Sequence, residues 1–201
     1  MDDGRAPGRL TVVGGPMFAG KTEELVRRVR RAQIAGRGTL VVTHDLDSRY
    51  GAGRVASHSG VAVASRSVDD ARAIPSILSP DVRLLAVDEA QFFGPELVPV
   101  VLDLLDAGLD VVVAGLTVTF DGRPFEPVPA LMAHAETVTR LTAVCSVCGA
   151  DAAYHVRLHR RGPVGDPLVA VEGHVGGTES YQARCRAHRD PGPGSGTPPV
   201  Q

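Results

Sequence analysis

Short apolar runs alternate along the chain with segments whose apolar positions recur at helical spacing. Leu10-Thr11-Val12-Val13, Thr39-Leu40-Val41-Val42-Thr43, Arg83-Leu84-Leu85-Ala86-Val87 and Asp110-Val111-Val112-Val113-Ala114 predict buried strands. Between them, Thr22 to Ala35 carries Leu25, Val29, Ala32 and Ile34 near helical spacing, and Val68 to Leu78 and Pro95 to Ala107 also predict helices. Near-continuous Val/Leu strands separated by helices imply an α/β fold, a parallel sheet covered on both faces. His44 to Gly60 mixes glycine, serine and charge without periodicity and predicts a long surface loop. Residues 1–9 and 189–201 are rich in Gly, Pro, Ser or charge and predict disordered tails.

The length of 201 residues suits one α/β domain with a small appendage. A net charge of −2 argues against a dedicated nucleic-acid binder. No apolar run approaches the roughly 18 residues of a membrane span, and Asp2 and Asp3 do not begin a secretory signal, so a cytoplasmic protein without a membrane partner is expected. Three cysteines, two of them in C-x-x-C, suit a reducing compartment and a metal site better than a disulfide framework.

Chemistry enters with the segment after the first strand. Gly15-Pro16-Met17-Phe18-Ala19-Gly20-Lys21-Thr22 has the Gly-x4-Gly-Lys-Thr spacing of a phosphate-binding loop, and Lys21 is the only lysine in the chain. Small residues let backbone N–H groups face the phosphates of ATP, a compact ammonium reaches their oxygens, and the Thr22 hydroxyl reaches Mg2+. The helix that follows aims its partial positive end at the same anion. At the carboxyl end of the third strand, Asp88 and Glu89 stand where open α/β sheets bind ligands. Asp88 is expected to hold magnesium with Thr22, leaving Glu89 as general base for an attacking hydroxyl or water. Phe92 or Phe93 reads either as core or as an aromatic wall of the site.

Cys145-Ser146-Val147-Cys148 and Cys185-Arg186-Ala187-His188 share one spacing, so four ligands can converge on a structural Zn2+. His58, His134, His155 and His174 have no such spacing and read as solvent-facing or structural. Between the two pairs, Val169 to Tyr181 starts like a strand and runs into consecutive glycines, a segment suited to close over a ligand.

Taken together, the phosphate loop, Asp47-Ser48-Arg49-Tyr50, Asp88-Glu89-Ala90-Gln91-Phe92-Phe93, Phe120 to Phe125, Leu141-Thr142-Ala143-Val144-Cys145 and Gly176 to His188 resemble, in order, the type II thymidine kinases. The resemblance implies a P-loop, RecA-like core over residues 10–143 and a zinc-binding lasso domain over 144–188. It implies transfer of the γ-phosphoryl of ATP to the 5′-hydroxyl of thymidine, with Glu89 as base and Lys21 and Arg49 at the transferred phosphate. Ala90 and Gln91 would join Asp88 and Glu89 at the nucleotide. Phe92, Leu116, Phe120 and Phe125 would line the nucleoside pocket. Val175, Gly176 and Gly177 would hold the base through their backbone, and Tyr181 would reach the deoxyribose. A homotetramer and feedback by thymidine triphosphate are further implications, with the basic run Arg27 to Arg31 either a solvated helix face or a subunit contact. The chain departs from the family pattern at His155, where relatives usually have a small hydroxyl residue near the base, which widens the expected acceptors to deoxyuridine or a broader pyrimidine range, and His174 beside the lasso adds to this. The competing reading is a nucleic-acid-stimulated P-loop ATPase with a zinc ribbon, disfavoured by the absence of basic excess.

Overall fold

A computed structural model describes residues 6–46, 54–56, 62–158 and 180–189. Arg49, His174, Val175, Gly176 and Gly177 lie outside the described residues, as do residues 1–5 and 190–201. The chain order is β1 (Leu10–Gly15), α1 (Lys21–Ile34), β2 (Gly38–His44), β3 (Arg54–Ala56), β4 (Ala62–Ala64), β5 (Arg66–Val68), β6 (Val82–Val87), α2 (Leu97–Asp106), β7 (Asp110–Leu116), α3 (Val128–His134) and β8 (Thr137–Arg140). A smaller lobe follows, with β9 (Ala143–Val144), β10 (Asp151–Ala152), β11 (Tyr154–Arg157) and β12 (Tyr181–Arg184).

The main sheet has six strands in the order β5-β2-β6-β7-β1-β8, and every neighbouring pair is parallel. Strand alternation divides its side chains between two cores. Val12, Val42, Leu85, Val111 and Val113 pack with α2 and α3 on one face. Val13, Val41, Leu84, Ala86, Val112 and Ala114 meet Leu25, Val26 and Val29 of α1 on the other. The expected parallel sheet with both faces covered is therefore the fold, and β7 lies between the strand that feeds the phosphate loop and the strand that ends at Asp88.

Several elements differ from the sequence expectation. Val68 ends a strand, and the predicted helix over Val68 to Leu78 is a 3-10 helix over Ala71–Ile77. Pro75 lies inside it, and a ring without an N–H cannot continue an α-helical ladder. The segment read as a loop over 44–60 includes β3, which pairs antiparallel with β4. The edge strands β5 and β8 carry little apolar signal because the sheet covers them on one side only: Arg66 and Ser67 are exposed, as are Thr137, Val138 and Arg140. Gly8 and Arg9, placed in the N-terminal tail by composition, are tied to the sheet's margin. Gly8 N–H donates to the Leu105 carbonyl at 2.7 Å, and Arg9 N–H donates to the Asp110 carboxylate at 2.9 Å.

Candidate active site

β1, β6 and β7 all end on the same edge of the parallel sheet, and the loops leaving them make the site. After β1 the chain turns through Phe18 at φ 66° and Gly20 at φ 79° before α1 begins. Both lie in the left-handed region, which Gly20 enters without a Cβ penalty and Phe18 does not. Gly15 is fixed by contact: a Cβ there would sit 2.6 Å from the Leu141 carbonyl oxygen. The buried Lys21 ammonium donates to the Pro16 carbonyl at 2.8 Å, across the loop that it belongs to.

Thr22 starts α1 and Asp88 follows β6, yet the Thr22 hydroxyl donates to Asp88 Oδ2 at 2.9 Å. A hydroxyl and a carboxylate oxygen so placed are hard donors suited to magnesium. The second Asp88 oxygen, Oδ1, accepts the Glu89 N–H at 3.0 Å. That bond accompanies a left-handed Glu89, with φ 48° and ψ 46°, an uncommon conformation for a residue with a side chain.

Glu89 Oε2 accepts from Gln91 Nε2 at 2.6 Å, while Gln91 Oε1 accepts the Leu116 N–H at 3.0 Å. Gln91 is 2% exposed. Ala90 is fully buried in the core on the α2 face. Both residues belong to a 3-10 helix over Ala90–Phe93. Phe92 and Phe93 are both buried against the His44 imidazole, with ring centroids 6.2 Å and 4.9 Å from it.

Leu116, whose N–H binds Gln91, also walls an apolar pocket with Met17, Phe120, Phe125 and Tyr181, and Thr119 and His155 complete the lining. Leu116, Phe120, Phe125 and Tyr181 come together as the sequence predicts, although they derive from β7, the loop after it, and β12. Phe92 packs at the His44 ring. Met17 belongs to the phosphate loop and also walls the pocket, a double placement that no spacing signals. The His155 imidazole is 3% exposed and stands edge-on to Tyr181, with centroids 5.9 Å apart. Burial, reinforced by the Lys21 charge and opposed by Glu89, lowers its pKa to about 3, so it is neutral at physiological pH. Tyr181 is pushed up by burial and keeps its phenolic proton.

In the small lobe the Cys145, Cys148 and Cys185 sulfurs and a His188 ring nitrogen all lie within 4.8 Å of one another. Cys148 Sγ is 3.8 Å from Cys185 Sγ, and His188 Nδ1 is 3.8 Å and 3.2 Å from the Cys145 and Cys185 sulfurs. Tetrahedral zinc with sulfur at about 2.3 Å needs sulfurs about 3.8 Å apart, so the donor set fits that ion. Burial raises the Cys145 pKa, but N–H groups of Cys185, Val147 and Cys148 outweigh it and bring the thiol down to about 6, toward the thiolate a metal binds.

A phosphate loop at the first strand, a hydroxyl–carboxylate pair beside it, a second carboxylate next in the chain and an aromatic pocket together define a P-loop phosphotransferase site for a ring-bearing acceptor. The family model for thymidine kinase matches residues 8–189, and the chain belongs to that family. It is 48% identical over 198 residues to a thymidine kinase of Deinococcus radiodurans, covering 92% of each chain. It is 45% identical to one of Bdellovibrio bacteriovorus, with 92% of this chain and 86% of the relative covered. A thymidine kinase of Halobacterium salinarum is 44% identical, with 89% and 92% covered.

Proposed function

We propose that this chain transfers the γ-phosphoryl of ATP to the 5′-hydroxyl of thymidine, and of deoxyuridine, in nucleotide salvage. The observation that carries the reading is the bonding of Glu89, whose N–H donates to Asp88, the partner of Thr22, and whose carboxylate is linked through Gln91 to Leu116 of the pocket. That is where a base must stand to take a proton from an acceptor hydroxyl.

In this reading Gly15 to Gly20 and Lys21 bind the triphosphate through backbone N–H groups and one ammonium. Lys21 exchanges its bond to Pro16 for phosphate oxygen. Thr22 and Asp88 would hold magnesium, which when bound would supply neutralisation of the phosphate charge. Glu89 accepts the acceptor's proton, Tyr181 contacts the deoxyribose, and the aromatic walls exclude water. Arg49 serves at the phosphate, and Val175, Gly176 and Gly177 hold the base through their backbone. The division into a core over 10–143 and a lasso domain over 144–188, stapled by zinc on Cys145, Cys148, Cys185 and His188, belongs to the same proposal. So do a homotetramer, feedback by thymidine triphosphate and a cytoplasmic location. Among the described residues no helix is long and apolar enough to cross a membrane.

The test is phosphate transfer from ATP with magnesium to thymidine, deoxyuridine, deoxycytidine and a no-acceptor control, with products separated by chromatography. Thymidine monophosphate as the main product is expected. ADP without any nucleotide product would instead favour an ATPase.

A further inference from the structure

Phe18 stands in the middle of the phosphate loop with its backbone at φ 66°. A residue with a side chain persists in that left-handed region only where its surroundings hold it there. Two separate groups of buried side chains supply the hold. Phe18 packs against the small lobe's cluster of Ala143, Cys145, Ala152, Ala183 and Cys185, as does Ala19. It also packs against Met17, Leu116, Phe125 and Tyr181, the cluster that forms the acceptor pocket. The same short stretch of chain serves both ligands: Met17 walls the pocket, and four residues later Lys21 opens α1. Lys21 donates to the Pro16 carbonyl, so a phosphate oxygen competes with Pro16 for that ammonium, and Pro16 adjoins Met17.

We propose that Phe18 is a positioning residue that makes nucleotide and acceptor binding cooperative: its side chain, packed on both the pocket cluster and the small lobe, carries the ordering of the phosphate loop to Met17 and the pocket wall, and carries the seating of the acceptor back to the loop. The inference rests on the nucleoside-kinase reading. Close-packed side chains transmit a displacement, because they have no slack in which to absorb it. A nucleoside resting on Met17 steadies the contacts that hold Phe18 in its left-handed conformation, and ATP then meets a loop already ordered. Such coupling is reciprocal, so thymidine tightens ATP by the factor with which ATP tightens thymidine. Glycine would meet the backbone requirement without a Cβ penalty, and what it lacks is the ring.

The experiment measures by calorimetry the dissociation constant of a non-hydrolysable ATP analogue with magnesium, without thymidine and with thymidine at saturation, for wild type, Phe18→Ala and Phe18→Gly. The ratio of the two constants is the readout. A variant that merely populates its competent fold less weakens both constants alike and leaves their ratio unchanged. Thymidine is expected to tighten the analogue about fivefold or more in wild type and less than about twofold in either variant. Phe18→Gly separates the ring from the backbone geometry, and two variants without the ring keep the test open should one not fold. A ratio near one in wild type, or the wild-type ratio retained in either variant, overturns the inference. Thymidine monophosphate formation from ATP by the same wild-type sample separates the two claims. Its absence sinks the kinase reading, and its presence with an unchanged ratio sinks only the role of Phe18.

Discussion

Gln91 Nε2 lies 2.6 Å from Glu89 Oε2, and the same amide accepts the Leu116 N–H at 3.0 Å through its other atom. One buried side chain therefore ties the proposed base to the wall of the proposed acceptor pocket. The tie acts on a residue whose backbone is itself left-handed, at φ 48° and ψ 46°. Gln91→Leu removes both bonds at similar volume. It is expected to lower kcat about tenfold to a hundredfold with a small change in the ATP constant, since a base displaced by about 1 Å loses rate rather than nucleotide binding. Steady-state kinetics check this, and kcat within twofold of wild type would show that Glu89 is held by other means.

Gly115 reports on the same tie from the opposite side. A Cβ there would lie 2.6 Å from Val128 Cγ2 and 3.0 Å from Gln91 Oε1. Gly115→Ala is expected to destabilise the fold by about 1–3 kcal/mol through overpacking, which for a chain of this size lowers Tm by several degrees. It should also lower kcat by displacing the Gln91 amide. Calorimetry and kinetics on one preparation check both, and an unchanged Tm would mean that α3 yields without strain.

Much of this site is legible in the chain, and the part that is not has a physical cause. The phosphate loop, Asp88 and the zinc ligands are local patterns whose chemistry demands particular residues at fixed spacing, and the structure brings them together. Buried central strands were equally plain, because two covered faces leave an unbroken apolar run. Edge strands β5 and β8 escaped because one-sided neighbours permit polar residues. The role of Gln91 escaped for a different reason: a glutamine behind a carboxylate has no spacing of its own, and its second partner is 25 positions away. Met17 and His155 enter the pocket through loop geometry and strand pairing, neither of which periodicity encodes.

Metal removal should act on folding rather than on phosphate chemistry. The four ligands join the β9–β10 hairpin to the end of β12, and the buried cluster around them is small among the described residues: Ala143, Cys145, Ala152, Ala183 and Cys185, with Phe18 and Ala19 packed against it. A strong chelator or Cys145→Ser is expected to release about one zinc per chain and to abolish the protection of β11 and β12 in hydrogen exchange, while strands of the main sheet stay protected. Equal protection with and without metal would show that the lobe is held by packing alone.

The His155 environment also predicts a pH dependence of stability. Its folded-state pKa of about 3 lies below the unfolded value of about 6.5, so between those values the unfolded chain binds one more proton at this site. Its contribution is complete above pH 6.5, and stability is lost as pH falls through the window, by up to about 1.4 kcal/mol per unit. Denaturant unfolding of wild type and His155→Phe from pH 7 to 5 checks this: the variant should lose less over that range. Parallel curves would place the acid sensitivity elsewhere.

The most direct test of the central claim is formation of thymidine monophosphate by wild type and by Glu89→Gln in parallel, with ATP affinity measured for both. The account predicts thymidine monophosphate from wild type and a loss of about 10²–10⁴-fold in the variant at nearly unchanged ATP affinity. Equal rates in the two enzymes, or ADP without thymidine monophosphate from wild type, would contradict it.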